Sequence, residues 1–267
     1  MNRYQFDGNL DDIELHDEPV LETKILIEND LAYMRIKQMA GLDVGEEDYY
    51  KIKDFLKGVE NYGKLIIDIR GNGGGSSYYW KNIVKLLADE SLIMTYYSFF
   101  KSGHRNLSLD PWEVQRLTTI KNLDEKILEQ FPEEIKTDFD FYKTYRIAIS
   151  PWGVSHNSND YVDFKGKVYL LVDKGVFSAA ETFSAFAKDT GFATLVGEPT
   201  GGDSVSEEIP VIYLPKSKFA IRYSRTLVIN SDGTINMETK TTPHIQVDPT
   251  PHDDFNKDKC IQAVIKD

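Results

Sequence analysis

KVYLLVD, KGVF, SAAETFSAFAKDTG and FATLVGEPTGGD follow one another without a break over residues 167–203, and their reading decides the fold. The first piece is a near-continuous apolar run, the pattern of a strand buried on both faces. The last piece begins with a second short strand, residues 193–196, and closes on Thr200-Gly201-Gly202. Between them Ala180, Phe183 and Ala187 recur at three and four residues, which predicts a helix. Ser178 stands where strand turns into helix. A hydroxyl there lies beside backbone N–H groups with no intrahelical partner and beside the positive end of the helix dipole. Those surroundings suit a nucleophile whose attack creates an oxyanion. A plainer reading competes: Ser178-Ala179-Ala180-Glu181 also matches the capping box, in which the serine caps the helix and the glutamate caps back.

Upstream, KLIIDI at 64–69 is another buried strand, and it runs into Arg70-Gly71-Asn72-Gly73-Gly74-Gly75. A helix over about 77–88 (Trp80, Ile83, Val84, Leu87) and a strand over 92–99 follow. Strand, glycine turn, helix and strand in that order predict a right-handed parallel crossover. Glycine-rich turns let backbone N–H groups approach an anion, because no Cβ stands in the way. Phosphate is the first candidate, but there is no GxxxxGK, and Gly71-x-Gly73-x-x-Ser76 lacks the third glycine of the dinucleotide fingerprint. An oxyanion hole for a carbonyl oxygen gaining charge remains.

The rest of the chain sets bounds. Its 267 residues suffice for one large core, and a net charge of −12 argues against nucleic acid or an anionic membrane as partner. Apolar runs are too short to span a membrane, and the acidic opening MNRYQFDGNLDD does not read as a signal peptide. Cys260 is the sole cysteine, so no disulfide framework exists within the chain, and no metal-ligand spacing such as HExxH occurs. Residues 1–19 read as an acidic lead-in and 20–267 as one core domain. ETKILI and LAYMRI read as paired strands around Glu28-Asn29-Asp30, and residues 45–60 as a helix with Tyr49, Ile52, Phe55, Leu56 and Val59 on one face. From about 100 to 158 an insert interrupts the pattern. Its stretch 111–130 (Trp112, Leu117, Ile120, Leu123, Ile127) predicts a helix, and the insert as a whole reads as a mainly helical cap. After Gly202 the pattern turns antiparallel, with strands at 208–214, 219–222 and 226–230, then a loop-rich stretch and a short C-terminal helix.

IIDIRGNGGG at 66–75, then SAAETF about a hundred residues later, then LVGEPTGG, resembles the C-terminal processing and tricorn-type serine peptidases. LAYMRI and TTPHIQVDP look like flanking segments of that family, so the resemblance spans roughly residues 20–265 outside the insert. It implies an α/β fold with a crotonase-like or Clp-protease-like core of stacked strand-strand-helix units. It implies Ser178 as nucleophile, an oxyanion hole from Ala179 and Gly73 or Gly74, and Asp68 and Arg70 as supports of the glycine loop. No cofactor or metal is implied. The processing branch places a lysine base just after the GEPT turn, where this chain has Gly202-Asp203. The tricorn-like branch uses a histidine base with a supporting glutamate, whose place Glu238 takes to within about one residue. That histidine lies upstream of the LAYMRI strand, and nothing before Glu22 resembles it. The five histidines here are His16, His104, His156, His244 and His252. The expectation is a chain trimmed of its base segment.

Three functions fit these readings. The first is a serine peptidase cleaving extended peptide or unfolded protein through an acyl-enzyme, with the cell envelope or exterior as the family's usual setting. The second is a peptide- or lipid-binding module on the same fold. The third, an acyl-CoA enzyme of crotonase type, shares the oxyanion hole but would place glutamates at the reacting centre. Fold alone does not separate them.

Overall fold

The structure, a computed structural model, describes residues 19–101, 117–151, 160–203, 211–224 and 226–267. The two apolar runs become β3 (Lys64–Asp68) and β7 (Lys167–Val172), parallel neighbours at the middle of a six-stranded sheet. Strand β2 (Leu31–Ile36) flanks β3 in parallel, and β1 (Leu21–Ile27) pairs antiparallel outside it. On the other side come β8 (Thr194–Gly197) and β12 (Ile245–Gln246), both parallel.

Both faces of this sheet are covered, which is why its strands read as unbroken apolar runs. Leu65, Ile67, Leu170 and Val172 face helices α1 (Leu42–Gly58), α2 (Ser77–Leu87) and α5 (Ala179–Thr190). The alternate residues Ile66, Tyr169 and Leu171 face the C-terminal helix α7 (Lys259–Lys266), which packs Cys260, Ile261 and Val264 against them. Trp80 of α2 is fully buried; its ring stacks on Phe183 at 5.4 Å and lies 5.2 Å from Phe186, both on α5. The helices that begin at the glycine loop and at Ser178 are thereby locked to each other.

The predicted crossover from β3 through α2 is not formed. Strand β4 (Leu92–Phe100) leaves the parallel sheet and enters a four-stranded antiparallel one, ordered β11-β4-β6-β5. The reason is legible in its side chains. Met94, Tyr96 and Ser98 are buried while Thr95 and Tyr97 are only partly so, the alternation of a strand with one core face. Compact parallel crossovers are instead β2-α1-β3 and β7-α5-β8, while β3 reaches its parallel neighbour β7 only after α2, β4 and the insert.

The insert also departs from expectation. Residues 111–116 of the predicted helix lie outside the described residues; the remainder gives β5 (Thr118–Thr119), a 3-10 turn at Ile120–Asn122 and α3 (Glu125–Leu128). Asp124 starts α3 afresh by accepting the Lys126 N–H at 2.9 Å, and Pro132 separates it from α4 (Glu133–Asp138). The longest described element of the insert is a strand, β6 (Phe141–Ile149), whose Tyr145, Ile147 and Ile149 alternate with exposed Thr144, Arg146 and Ala148. The insert therefore extends the sheet that β4 begins, over a core of Phe99, Ile120, Leu123, Phe131, Ile135 and Ile229. Strands β9 (Val211–Tyr213) and β10 (Ala220–Arg222) form a hairpin, and β11 (Thr226–Asn230) pairs with β4, as the antiparallel pattern after Gly202 predicts.

At the end of β3, Arg70 is buried between Asp68 and Asp258. It donates from Nε to Asp68 Oδ1 at 2.9 Å, from Nη2 to Asp68 Oδ2 at 2.6 Å, and from Nη1 to the Pro249 carbonyl at 2.9 Å. Nη2 also lies 2.9 Å from Asp258 Oδ2, and Asp258 caps α7 through the Cys260 and Ile261 N–H groups. Removing one partner of such a buried charge set leaves the rest uncompensated. Asp258→Ala is expected to lower the unfolding free energy by about 3–5 kcal/mol, measured by chemical denaturation.

Candidate active site

Three loops meet at the carboxyl ends of β3, β7 and β8, with backbone against backbone. A Cβ on Gly74 would lie 2.7 Å from Phe177 O and Ser178 Cβ and 2.9 Å from Ala179 N. A Cβ on Gly175 would lie 2.9 Å from Gly71 Cα, and one on Gly201 would lie 2.8 Å from Val176 O. The glycine loop thus touches the serine turn, as the oxyanion-hole reading requires. Two polar side chains that the sequence reading passed over set the loop shapes. Asn72, fully buried, accepts the Gly74 N–H on Oδ1 at 2.9 Å and donates from Nδ2 to Ile36 O at 2.9 Å. Asp173 Oδ1 accepts the N–H groups of Gly71 and Gly175 at 2.8 and 2.9 Å. An Asn between glycines and an Asp-x-Gly after a strand are turn-forming signals that were available in the sequence.

Ser178 is half-buried at the start of α5, with φ 55° and ψ −121°. A non-glycine residue with positive φ is strained, and such strain collects at functional sites. The capping-box reading does not survive. Ser178 makes no side-chain cap, and its Oγ has no hydrogen-bond partner among the described residues. Glu181 does not cap back either: it is fully buried and turned toward Asn236 and Thr241.

Of the N–H groups expected to hold an oxyanion, Gly74 is already committed to Asn72, so its part is to shape the loop. The N–H groups of Gly73 and Ala179 carry no hydrogen bond among the described residues, and Gly73 is exposed. Asp68 and Arg70 lie in the buried clamp at the end of β3, with no hydrogen bond or ion pair to Ser178 among the described residues. Glu238 sits on the short helix α6 (Asn236–Thr239), exposed; its N–H donates to Ile235 O at 2.9 Å, and its carboxylate has no hydrogen bond or ion pair among the described residues. Its neighbour Met237 abuts Gly202, which in turn bridges to Phe177.

His16, His104 and His156 lie outside the described residues. His244 Nδ1 accepts the Leu195 N–H at 2.9 Å, and His252 Nδ1 accepts that of Asp254 at 3.0 Å. Burial and the nearby Lys188 ammonium push His244 below the usual histidine range. Both histidines fasten loops, and neither is bonded to Ser178. Among the described residues no group of three His, Cys, Asp or Glu side chains is placed to hold a metal ion, and no helix is long and apolar enough to cross a membrane.

The sequence profile of peptidase family S41 matches residues 30–247. The chain belongs to peptidase family S41. Solved structures share the fold at low identity. A candidate peptidase from Parabacteroides merdae is 20% identical with a TM-score of 0.64, the match covering 93% of this chain and 64% of that one. A candidate S41 protease from Bacteroides fragilis is 14% identical with a TM-score of 0.54, covering 94% and 58%. Mature CPAF complexed with lactacystin is 18% identical with a TM-score of 0.56, covering 85% and 49%. The chain thus spans less than two thirds of the length of these structures. A comparison with curated protein sequences gives no match.

The dihedral angles of Ser178 make a stability prediction. Relief of strain worth about 1–3 kcal/mol, less the entropic cost of a glycine, leaves Ser178→Gly about 1 kcal/mol more stable than Ser178→Ala. Urea unfolding midpoints of the two variants measure the difference.

Proposed function

We propose that this S41 chain is the acyl-transfer core of a serine peptidase. The observation that carries the reading is a strained, uncapped Ser178 whose turn lies against Gly74 of the glycine loop, with the N–H groups of Ala179 and of Gly73, next to Gly74 in the chain, uncommitted among the described residues. Ser178 Oγ attacks a peptide carbonyl carbon, and the negative charge that develops on its oxygen is received by those two groups. The hydroxyl proton passes to a general base supplied from outside the described residues, with Glu238 orienting that base. The base returns the proton to the departing amine as the C–N bond breaks, and water then clears the acyl-enzyme by the same route. Exposed Phe177 and Met237 flank the site and supply apolar contact for the side chains of an extended peptide.

The binding-module reading also has an observation in its favour, namely the absence of a hydrogen-bonded base on Ser178 Oγ among the described residues. An unactivated serine is a weak nucleophile. One experiment separates the two readings. A fluorophosphonate probe is expected to label the full-length protein at Ser178, and the protein to hydrolyse labelled casein. Ser178→Ala is expected to abolish labelling and to lower turnover by at least about 10³-fold. A full-length protein that neither labels nor cleaves, yet shows a thermal shift with peptide or lipid, establishes the binding module instead.

A further inference from the structure

Glu181 lies one helical turn past Ser178, fully buried, and the capping role its spacing suggested is not the one it performs. Its Oε1 accepts two hydrogen bonds, from Asn236 Nδ2 at 2.8 Å and from Thr241 Oγ1 at 2.7 Å. Asn236 begins α6 and Thr241 follows its end, so a single carboxylate oxygen holds both ends of the segment that bears Glu238. Thr241 is fixed a second time against Thr200. Its N–H donates to Thr200 Oγ1 at 3.0 Å, and its carbonyl accepts the Thr200 N–H at 3.1 Å. Thr200 leads directly into Gly201, whose N–H donates to Val176 O at 2.8 Å, and Gly202 bridges to Phe177. The contacts close into a ring that runs from Ser178 along α5 to Glu181, across to 236–241, back through Thr200 to Gly202, and so to Phe177 and Ser178 again.

We propose that Glu181 is a positioning residue for the acyl-transfer reaction, setting the 236–241 segment, and Glu238 with it, against Ser178. The proposal rests on the peptidase reading above. The geometry favours this role over simple support of the core. Its second oxygen, Oε2, is buried with no hydrogen-bond partner among the described residues. All of its bonding is directed at the one segment that neighbours the serine turn. Displacement of a catalytic segment by about 1 Å can cost about 10²-fold in rate even when substrate binding is intact.

The test uses the full-length protein. Glu181→Ala is expected to lower kcat on a labelled peptide by about 10- to 100-fold while KM stays within about threefold. Because a carboxamide oxygen can accept the same two bonds, Glu181→Gln is expected to restore kcat to within about threefold of the wild type. Asn236→Ala and Thr241→Val each remove one donor, and should give part of the kcat loss if Glu181→Ala fails to fold. Hydrogen exchange gives a readout that does not need turnover. Amides of 236–241 should exchange faster in Glu181→Ala and return to the wild-type rate in Glu181→Gln. Folded Glu181→Ala with wild-type kcat, or with unchanged exchange over 236–241, overturns the proposal. A wild-type protein without Ser178-dependent hydrolysis sinks the peptidase reading, and the ring is then judged on exchange alone, where acceleration supports it and no change overturns it.

Discussion

The site depends on one close approach, that of the Gly74 backbone to the Phe177–Ala179 turn with no side chain between them. Strands β3 and β7 are adjacent and parallel, so their carboxyl ends lie about 4.8 Å apart and the loops that leave them must share the same space. A Cβ on Gly74 would sit inside the van der Waals contact of Ser178, which leaves glycine as the residue that fits. Gly75 obeys the same constraint on its other side, where Met39 O would be 2.0 Å from an added Cβ. The region beyond the carboxyl ends of a parallel sheet is where α/β folds place ligands, and it is there that the glycine loop and the serine turn meet.

Side chains then hold in place what the missing Cβ atoms allow. Asn72 turns the glycine loop from within, and Asp173 gathers two N–H groups from two loops onto a single oxygen. Behind the loops, the ring contacts of Trp80 with Phe183 and Phe186 hold α2 against α5. Arg70 ties the end of β3 to α7 through two buried aspartates. Desolvating three charges costs about as much as their attraction returns, so the clamp contributes orientation more than net stability.

Strands β3 and β7, the glycine loop and the serine turn were legible because each rests on local chemistry. Burial on both faces writes an unbroken apolar run, and a backbone contact writes glycine. The destination of β4 was not read, because strand, helix and strand in succession describe two topologies equally well. Only the alternation of Met94, Tyr96 and Ser98 with Thr95 and Tyr97 distinguishes them. Strand β6 was missed for a related reason: its half-exposed faces carry aromatic and charged residues that blur the period of two. The role of Glu181 was out of reach of sequence. Its partners Asn236 and Thr241 lie 55 and 60 residues away, and a local capping motif offered a sufficient account of the same letters.

That capping motif shows how one dihedral angle decides between structure and chemistry. In an extended backbone, Ser178 Oγ would reach the first-turn N–H groups and satisfy them, giving a stable helix start with nothing left to offer a ligand. At φ 55° the hydroxyl makes no such cap, and the Ala179 N–H remains uncommitted among the described residues, against the backbone of Gly74. The strained conformation is held from outside. Phe177 N–H donates to Asn72 O at 3.1 Å, Thr182 N–H donates to Ser178 O at 2.9 Å, and Gly202 pairs with Phe177. The cost of the strain and the loss of the cap fall on the same residue. Both are met by bonds to the glycine loop and to α5, so the Ser178 turn keeps its shape only while those neighbours keep theirs.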